Sequence, residues 1–217
     1  MAGTPFRDRV DAGRALAARL AELAGPDLVV LGLPRGGVVV AAEVARALGG
    51  VLDVVVVRKV GVPWQPELAM GAVAAVGDDV ETVRDERVLA ALHVDDGTFD
   101  RVRARELGEL RRREAAYQQG RPPPALSGRP VVVVDDGLAT GSTMRAAVAA
   151  VRRQAPARLV VAVPVGSPAA CASFTGEVDE VVCLWAPGSF SAVGRGYAKF
   201  RATTDDEVRA ALARPAG

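Results

Sequence analysis

The residues best suited to chemistry are the adjacent carboxylates Asp135 and Asp136 and the small, hydroxyl-rich run Ala139, Thr140, Gly141, Ser142 and Thr143. Val131 to Val134 precede them, four β-branched residues that read as a strand buried on both faces. Met144 onward has the pattern of a helix. A loop that leaves a parallel strand and enters a helix offers unpaired backbone N–H groups and the positive end of the helix dipole. Thr140, Ser142 and Thr143 add hydroxyl donors, and Gly137 and Gly141 let an anion approach the backbone. The stretch reads as a phosphate cup. Two carboxylates beside such a cup must face something other than phosphate, and a sugar diol or a divalent cation fits that need. A Walker A loop is ruled out, since no Lys precedes the final hydroxyl residue. An acidic pair of the response-regulator kind would sit on the first strand. The plainest alternative is a strand-to-helix turn whose Asp residues only cap the helix.

This order of four apolar residues, two acids, two further residues and Ala-Thr-Gly-x-Thr resembles the phosphoribosyl pyrophosphate (PRPP) motif of type I phosphoribosyltransferases. The wider order of Pro-Arg-Gly-Gly at 34–37, Arg-Lys-Val-Gly-Val-Pro at 58–63, Pro-Glu-Leu-Ala-Met-Gly at 66–71 and Phe-x-Ala-Val-Gly at 190–194 resembles an uncharacterised bacterial group of predicted phosphoribosyltransferases. The resemblance implies transfer of ribose 5-phosphate from PRPP to a nitrogenous acceptor, a nucleobase foremost, with release of pyrophosphate and with Mg²⁺ as cofactor. It implies that residues 139–143 grip the 5′-phosphate and that Asp135 and Asp136 hold the ribose hydroxyls, directly or through the metal. Arg35, Gly36, Gly37 and Lys59 would hold pyrophosphate, in a loop that often contains a non-proline cis peptide. Phe190, Val193 and Tyr197 would contact the acceptor. Glu67, the only charged residue between Lys59 and Asp78, is a candidate for proton handling or substrate contact. A homodimer follows from the resemblance alone. Another reading keeps the PRPP site but not the turnover, as a regulatory PRPP-binding protein. A diphosphokinase would need an ATP site, for which no motif is present.

The elements that must position these residues follow from periodicity. Residues 6–24 form an amphipathic helix with Val10, Ala17, Leu20 and Ala24 on one face. Leu28–Leu33 and Asp53–Val57 are buried strands flanking a helix over Val38–Leu48, with Arg58 and Lys59 at the second strand's carboxyl end. The stretch 60–79 carries two prolines and three glycines and reads as a flexible loop. Val80–Val83 and Val88–Leu92 are short elements of undecided type. Asp95–Gln119 is a charge-laced helix with Leu107, Leu110 and Tyr117 as its apolar stripe, closed by Arg121 and three prolines. Arg111 to Arg113 read as part of its solvated face. Strands at Leu159–Val163 and Val178–Leu184 flank a short helix over Pro168–Phe174. The alternation predicts an α/β fold with one doubly wound, mostly parallel sheet. We expect a single domain over 1–217, with its core at about 28–184 and a small C-terminal hood at about 185–201. That hood holds four of the nine aromatic residues. Thr204 to Glu207 form a capping box for a last helix.

Composition agrees. Half of the 217 residues are hydrophobic but only 4% are aromatic, which suits a Val/Ala/Leu core. A formal charge of +1 argues against nucleic acid as a partner. Without an apolar signal core or a membrane-length apolar run, a cytoplasmic protein is expected. Cys171 and Cys183 lack metal-type spacing and read as buried reduced thiols. His93, the sole histidine, reads as a surface or packing residue.

Overall fold

The computed structural model describes residues 6–77, 79–118 and 121–213. Asp78 and Gln119, which the expected loop and long helix include, lie outside these, as do residues 1–5. Helix α1 spans Arg9–Arg19, capped by the Asp8 carboxylate, which accepts from the Asp11 N–H at 2.9 Å. Strand β1 (Val29–Gly32) and strand β2 (Val51–Val54) flank α2 (Gly36–Leu48), which ends on Gly49 in the left-handed region at φ 69°. Three strands follow, β3 (Val56–Val62), β4 (Gln65–Val76) and β5 (Asp79–Arg84). Two helices come next, α3 (Glu86–Ala91) and α4 (Asp96–Gln118). The second half comprises β6 (Pro130–Val134), α5 (Ser142–Arg153), β7 (Arg158–Val165), α6 (Pro168–Ala172), β8 (Glu180–Trp185) and α7 (Asp205–Leu212).

Five strands form a wholly parallel sheet in the order β2-β1-β6-β7-β8. Its two faces follow the period-2 alternation of the strands. Val29, Leu31, Val131, Val133, Val161 and Val163 pack toward α5. Val30, Val132, Val134, Val160 and Ala162 pack toward α1 and α2. The expected doubly wound α/β sheet is therefore present.

Three expectations need correction. The first helix stops at Arg19, a 3₁₀ turn follows at Ala21–Leu23, and the buried face is Ala12, Gly13, Leu16 and Ala17 rather than a stripe through Val10 and Ala24. The reason is the crossing with α2, where a Cβ on Gly13 would stand 2.7 Å from the Val40 carbonyl oxygen. The run Asp53–Val57 is not one strand. It leaves the parallel sheet after Val54, so Arg58 and Lys59 belong to β3 and not to a parallel strand's end.

The stretch 60–79 is not an irregular loop either. Its described residues belong mostly to an antiparallel hairpin that β5 extends to three strands. The glycines that read as loop signals mark close strand approach. A Cβ on Gly61 would meet the Pro66 carbonyl oxygen at 2.5 Å, and one on Gly71 the Val83 carbonyl oxygen at 2.5 Å. Pro66 sits where the register shifts, beside the Val62–Gln65 turn. This second sheet is buried on both faces, with Ala72 and Ala74 toward α5 and Met70, Val73 and Ala75 toward Phe99, Leu110 and Tyr117 of α4.

The hood has no strand of its own. Its backbone pairs with the segment before α1, through Phe6 N–H to the Gly196 carbonyl at 2.7 Å and Ala198 N–H to the Phe6 carbonyl at 2.7 Å. The Thr204–Glu207 capping box is present at α7. His93 is exposed.

Candidate functional site

Strands β1 and β6 are neighbours, yet the chain after β1 turns to one face of the sheet and the chain after β6 to the other. Doubly wound sheets bind ligands in the crevice that such a reversal opens at the strands' carboxyl ends. The two motifs read from the sequence flank this crevice. The first, after β1, contains a cis peptide between Pro34 and Arg35. The second follows β6.

In the second loop Leu138 is held down by its N–H to the Val165 carbonyl at 2.8 Å, and Ser167 N–H returns to the Leu138 carbonyl at 2.8 Å. Gly141 takes φ 81° as the residue before α5, with Phe174 packed beneath it. Between these fixed points the backbone N–H groups of residues 139–143 find no acceptor among the described residues. Together with the α5 N-terminus they form a donor cradle. Thr140 and Ser142 are exposed at its rim, their hydroxyl oxygens 3.4 Å apart. A cavity of about 180 Å³ lies here, lined by Asp135, residues 137–144 and Lys59.

Lys59 reaches this cavity because β3 alternates. Arg58 points to α4, where its Nε donates to buried Glu106 at 2.9 Å, and Lys59 points the other way. Lys59 is exposed and has no ion pair among the described residues, so its charge is available to an anion. Arg35, which precedes α2, is likewise exposed and unpaired among them. Arg145, one turn into α5, is engaged by Glu177 and by the Ser173 hydroxyl.

The paired glycines of the first loop also bring the two loops together. Neither has a positive φ, and both lie in the first turn of α2. They admit the acidic loop. A Cβ on Gly37 would stand 2.8 Å from Asp135 Cα, and one on Gly36 would stand 1.8 Å from Asp136 Oδ2.

The carboxylates differ. Asp135 Oδ1 accepts the Asp136 N–H at 2.8 Å. Burial and then the neighbouring Asp136 charge push the Asp135 carboxyl well above the usual carboxylate range. Asp136 instead meets Arg9, whose Nε donates to Oδ2 at 2.7 Å. No reading of the sequence singled out Arg9. It lies 127 residues from its partner and has no motif around it.

The other expected residues fall out unevenly. Val193 rests on Gly137, whose added Cβ would stand 2.2 Å from Val193 Cγ1, so the hood touches the acidic loop. Tyr197 is buried between Phe6 and Phe200, and its hydroxyl donates to the Asp136 carbonyl at 2.6 Å. That ring packs the hood against the segment before α1. Phe190 and Trp185 pack against the same small cluster. Glu67 is exposed in the irregular part of the hairpin and does not line the loop cavity. Cys171 and Cys183 are half-buried rather than buried, and both sulfurs lie about Gly166. Cys183 Sγ donates to the Trp185 carbonyl at 3.6 Å, and the two neighbouring thiols act on each other, lowering Cys171 to about 7 and, with burial, raising Cys183.

Such a site can bind a phosphate-bearing ligand in the cradle and a diol or cation at the carboxylates. Comparison with known proteins gives the family. The phosphoribosyl transferase domain family matches residues 7–180, and the chain belongs to that family. A Mycobacterium tuberculosis protein with the provisional name of phosphoribosyl transferase is 51% identical over 209 residues, in both strain CDC 1551 and strain H37Rv. That alignment covers 96% of this chain but 46% of the relative, so the chain spans about half the relative's length. The crystal structure of TT1426 from Thermus thermophilus superposes with a TM-score of 0.81 at 50% identity, covering 96% of this chain and 97% of the other. AQ2163 from Aquifex aeolicus shares the fold at 11% identity, with a TM-score of 0.50 over 94% of this chain and 85% of the other. Among the described residues no helix is long and apolar enough to cross a membrane.

Proposed function

We infer that the protein transfers ribose 5-phosphate from PRPP to a nitrogenous acceptor, a nucleobase in the first instance, and releases pyrophosphate. The observation that carries this reading is the row of N–H groups at residues 139–143, without an acceptor among the described residues, set at the reversal point of the sheet in a cavity that Asp135 and Lys59 also line, with Asp136 next in the chain. The cradle holds the 5′-phosphate and so fixes the anomeric carbon, an orientation effect. Asp135 and Asp136 take the ribose hydroxyls and favour the positive charge that spreads over the ring as the C–O bond to pyrophosphate breaks. Lys59 on β3 and Arg35 before α2, both without an ion pair among the described residues, receive the departing pyrophosphate.

The residues present also fit Mg²⁺. Among the described residues no group of three or more His, Cys, Asp or Glu could hold a metal by itself. Mg²⁺ usually takes one or two carboxylates plus substrate phosphates and water, and Asp135 and Asp136 supply that number. When bound, Mg²⁺ supplies charge neutralisation for the pyrophosphate oxygens. The protein is proposed to be a cytoplasmic homodimer, with this chain as one phosphoribosyltransferase domain and the exposed tip of the hairpin closing over bound PRPP. Glu67, near its tip, is the residue that such closure would bring toward the ligand.

One observation favours a second reading. The hood aromatic Tyr197 is committed to packing, which leaves base recognition thinly provided and suits a regulator that binds PRPP without turnover. Pyrophosphate release from Mg·PRPP, measured with and without a panel of nucleobases and small amines, separates the two. Release dependent on one acceptor establishes the transferase. Mg²⁺-dependent binding without release for any acceptor favours the regulator, and no PRPP binding refutes both.

A further inference from the structure

Arg9 is committed on every side. Its side chain is only 11% exposed, on the first turn of α1. Nε and Nη2 each lie 2.7 Å from Asp136 Oδ2, and Nη1 donates to the Arg201 carbonyl at 2.8 Å. The guanidinium lies over the Phe200 ring, 4.1 Å from its centroid. Tyr197, stacked on Phe200, bonds the Asp136 carbonyl. Thus α1 and the hood grip Asp136 by both side chain and main chain, while Oδ1 accepts from no N–H or hydroxyl of the described residues and the Asp135 carboxyl stands beside the same side chain.

We propose that Arg9 is a positioning residue for the reaction, which fixes the Asp136 carboxylate so that Oδ1 faces the ribose or the metal. The proposal rests on the PRPP reading above. An unrestrained Asp side chain beside a second carboxylate would rotate away from it. A cation clamped on the far oxygen removes that freedom and offsets the like-charge repulsion without occupying the ligand-facing atom. The geometry calls for Arg. One planar group must reach a carboxylate oxygen and a carbonyl in different directions while stacking on an aromatic face, and the point charge of Lys cannot do all three. Because Nη1 holds the hood at Arg201, the same side chain couples the hood to the acidic loop.

The test is Mg·PRPP affinity by calorimetry, with melting temperature measured alongside, for wild type, Arg9→Lys, Asp136→Asn and the double variant. Arg9→Lys should weaken binding about 10- to 100-fold, the range for partners that orient ligating groups, with a melting temperature close to wild type. The double variant should bind no worse than Asp136→Asn alone, since Arg9 acts through that carboxylate. Wild-type affinity in Arg9→Lys, or losses that add in full in the double variant, would overturn the positioning role and leave the PRPP reading standing. If wild type fails to bind Mg·PRPP, the PRPP reading itself falls and this proposal with it. Should Arg9→Lys fail to fold, Phe200→Leu carries the test, because it strips the stacking face at a half-exposed site and leaves Asp136 untouched. It should weaken binding about two- to fivefold, and unchanged affinity would count against the proposal.

Discussion

Alanine at Gly37 and at Gly36 should produce opposite kinds of damage, although the two positions are adjacent. At Gly37 the new Cβ would meet main chain, 2.8 Å from both Asp135 Cα and the Val134 carbonyl oxygen. Ordinary contact requires a retreat of roughly 0.6 Å, which neither a helix start nor a central strand grants cheaply. Overpacking of this kind costs about 1–3 kcal/mol, and the gain from replacing a helical glycine offsets about 1 kcal/mol of that. A net loss of about 1 kcal/mol lowers the melting temperature by roughly 2–4 °C in a chain of this size. At Gly36 the obstacle is a side-chain end, Asp136 Oδ2 at 1.8 Å with Arg9 Nε at 2.7 Å. The carboxylate is forced off its ion pair with Arg9, while the backbone stays in place. The broken ion pair costs stability that the helix gain offsets only in part, the main chain is spared, and Mg·PRPP affinity should fall at least tenfold. Calorimetric melting and isothermal titration measure the two quantities. If Gly37→Ala melts above wild type, propensity has prevailed and the close approach is not binding. If Gly36→Ala keeps full affinity, the Asp136 carboxylate is not a ligand contact.

Other consequences are as direct. Asp136→Asn keeps the shape and removes the charge, so Mg·PRPP binding and turnover should drop while folding persists; equal turnover would remove the carboxylate from the mechanism. Asp53 is buried on edge strand β2, and burial raises its carboxyl. Its folded form holds the proton more tightly than the unfolded chain, so wild type loses stability as pH rises from about 3.9 through the raised folded value. Asp53→Asn should match wild type in acid and be at least as stable at pH 7 in denaturant melts, and a destabilised variant at pH 7 would refute this. With its thiol at about 7, Cys171 should be alkylated by iodoacetamide before Cys183, which peptide mass mapping will resolve. Trp64, 62% exposed at the hairpin turn, should report closure. In a Trp185→Phe background its fluorescence should shift on adding Mg·PRPP, and an unaltered spectrum on saturation would argue against a closing hairpin.

What could be read from the chain alone was whatever is contiguous. Residues 131–143 run strand, acids, loop and helix within one turn of the fold, so local propensity and neighbouring chemistry place Asp135, Asp136 and the cradle without distant help. The alternation of apolar runs likewise dictated the α/β sheet, because a βαβ unit buries its strands in only one way. Tertiary structure decided everything that depends on what approaches from elsewhere. The glycines at 36, 37, 61 and 71 look alike in sequence, yet each is required by a different backbone or side chain across a gap. Stretch 60–79 read as a loop because Gly and Pro mark both turns and crowded strand crossings, and only the partner strand tells them apart. Lys59 faces the cradle and Arg58 faces Glu106 because β3 starts at Val56, a break hidden within an unbroken run of valines. Arg9 meets Asp136 across 127 residues. A lone cation so far along the chain has no signature until the fold carries it there.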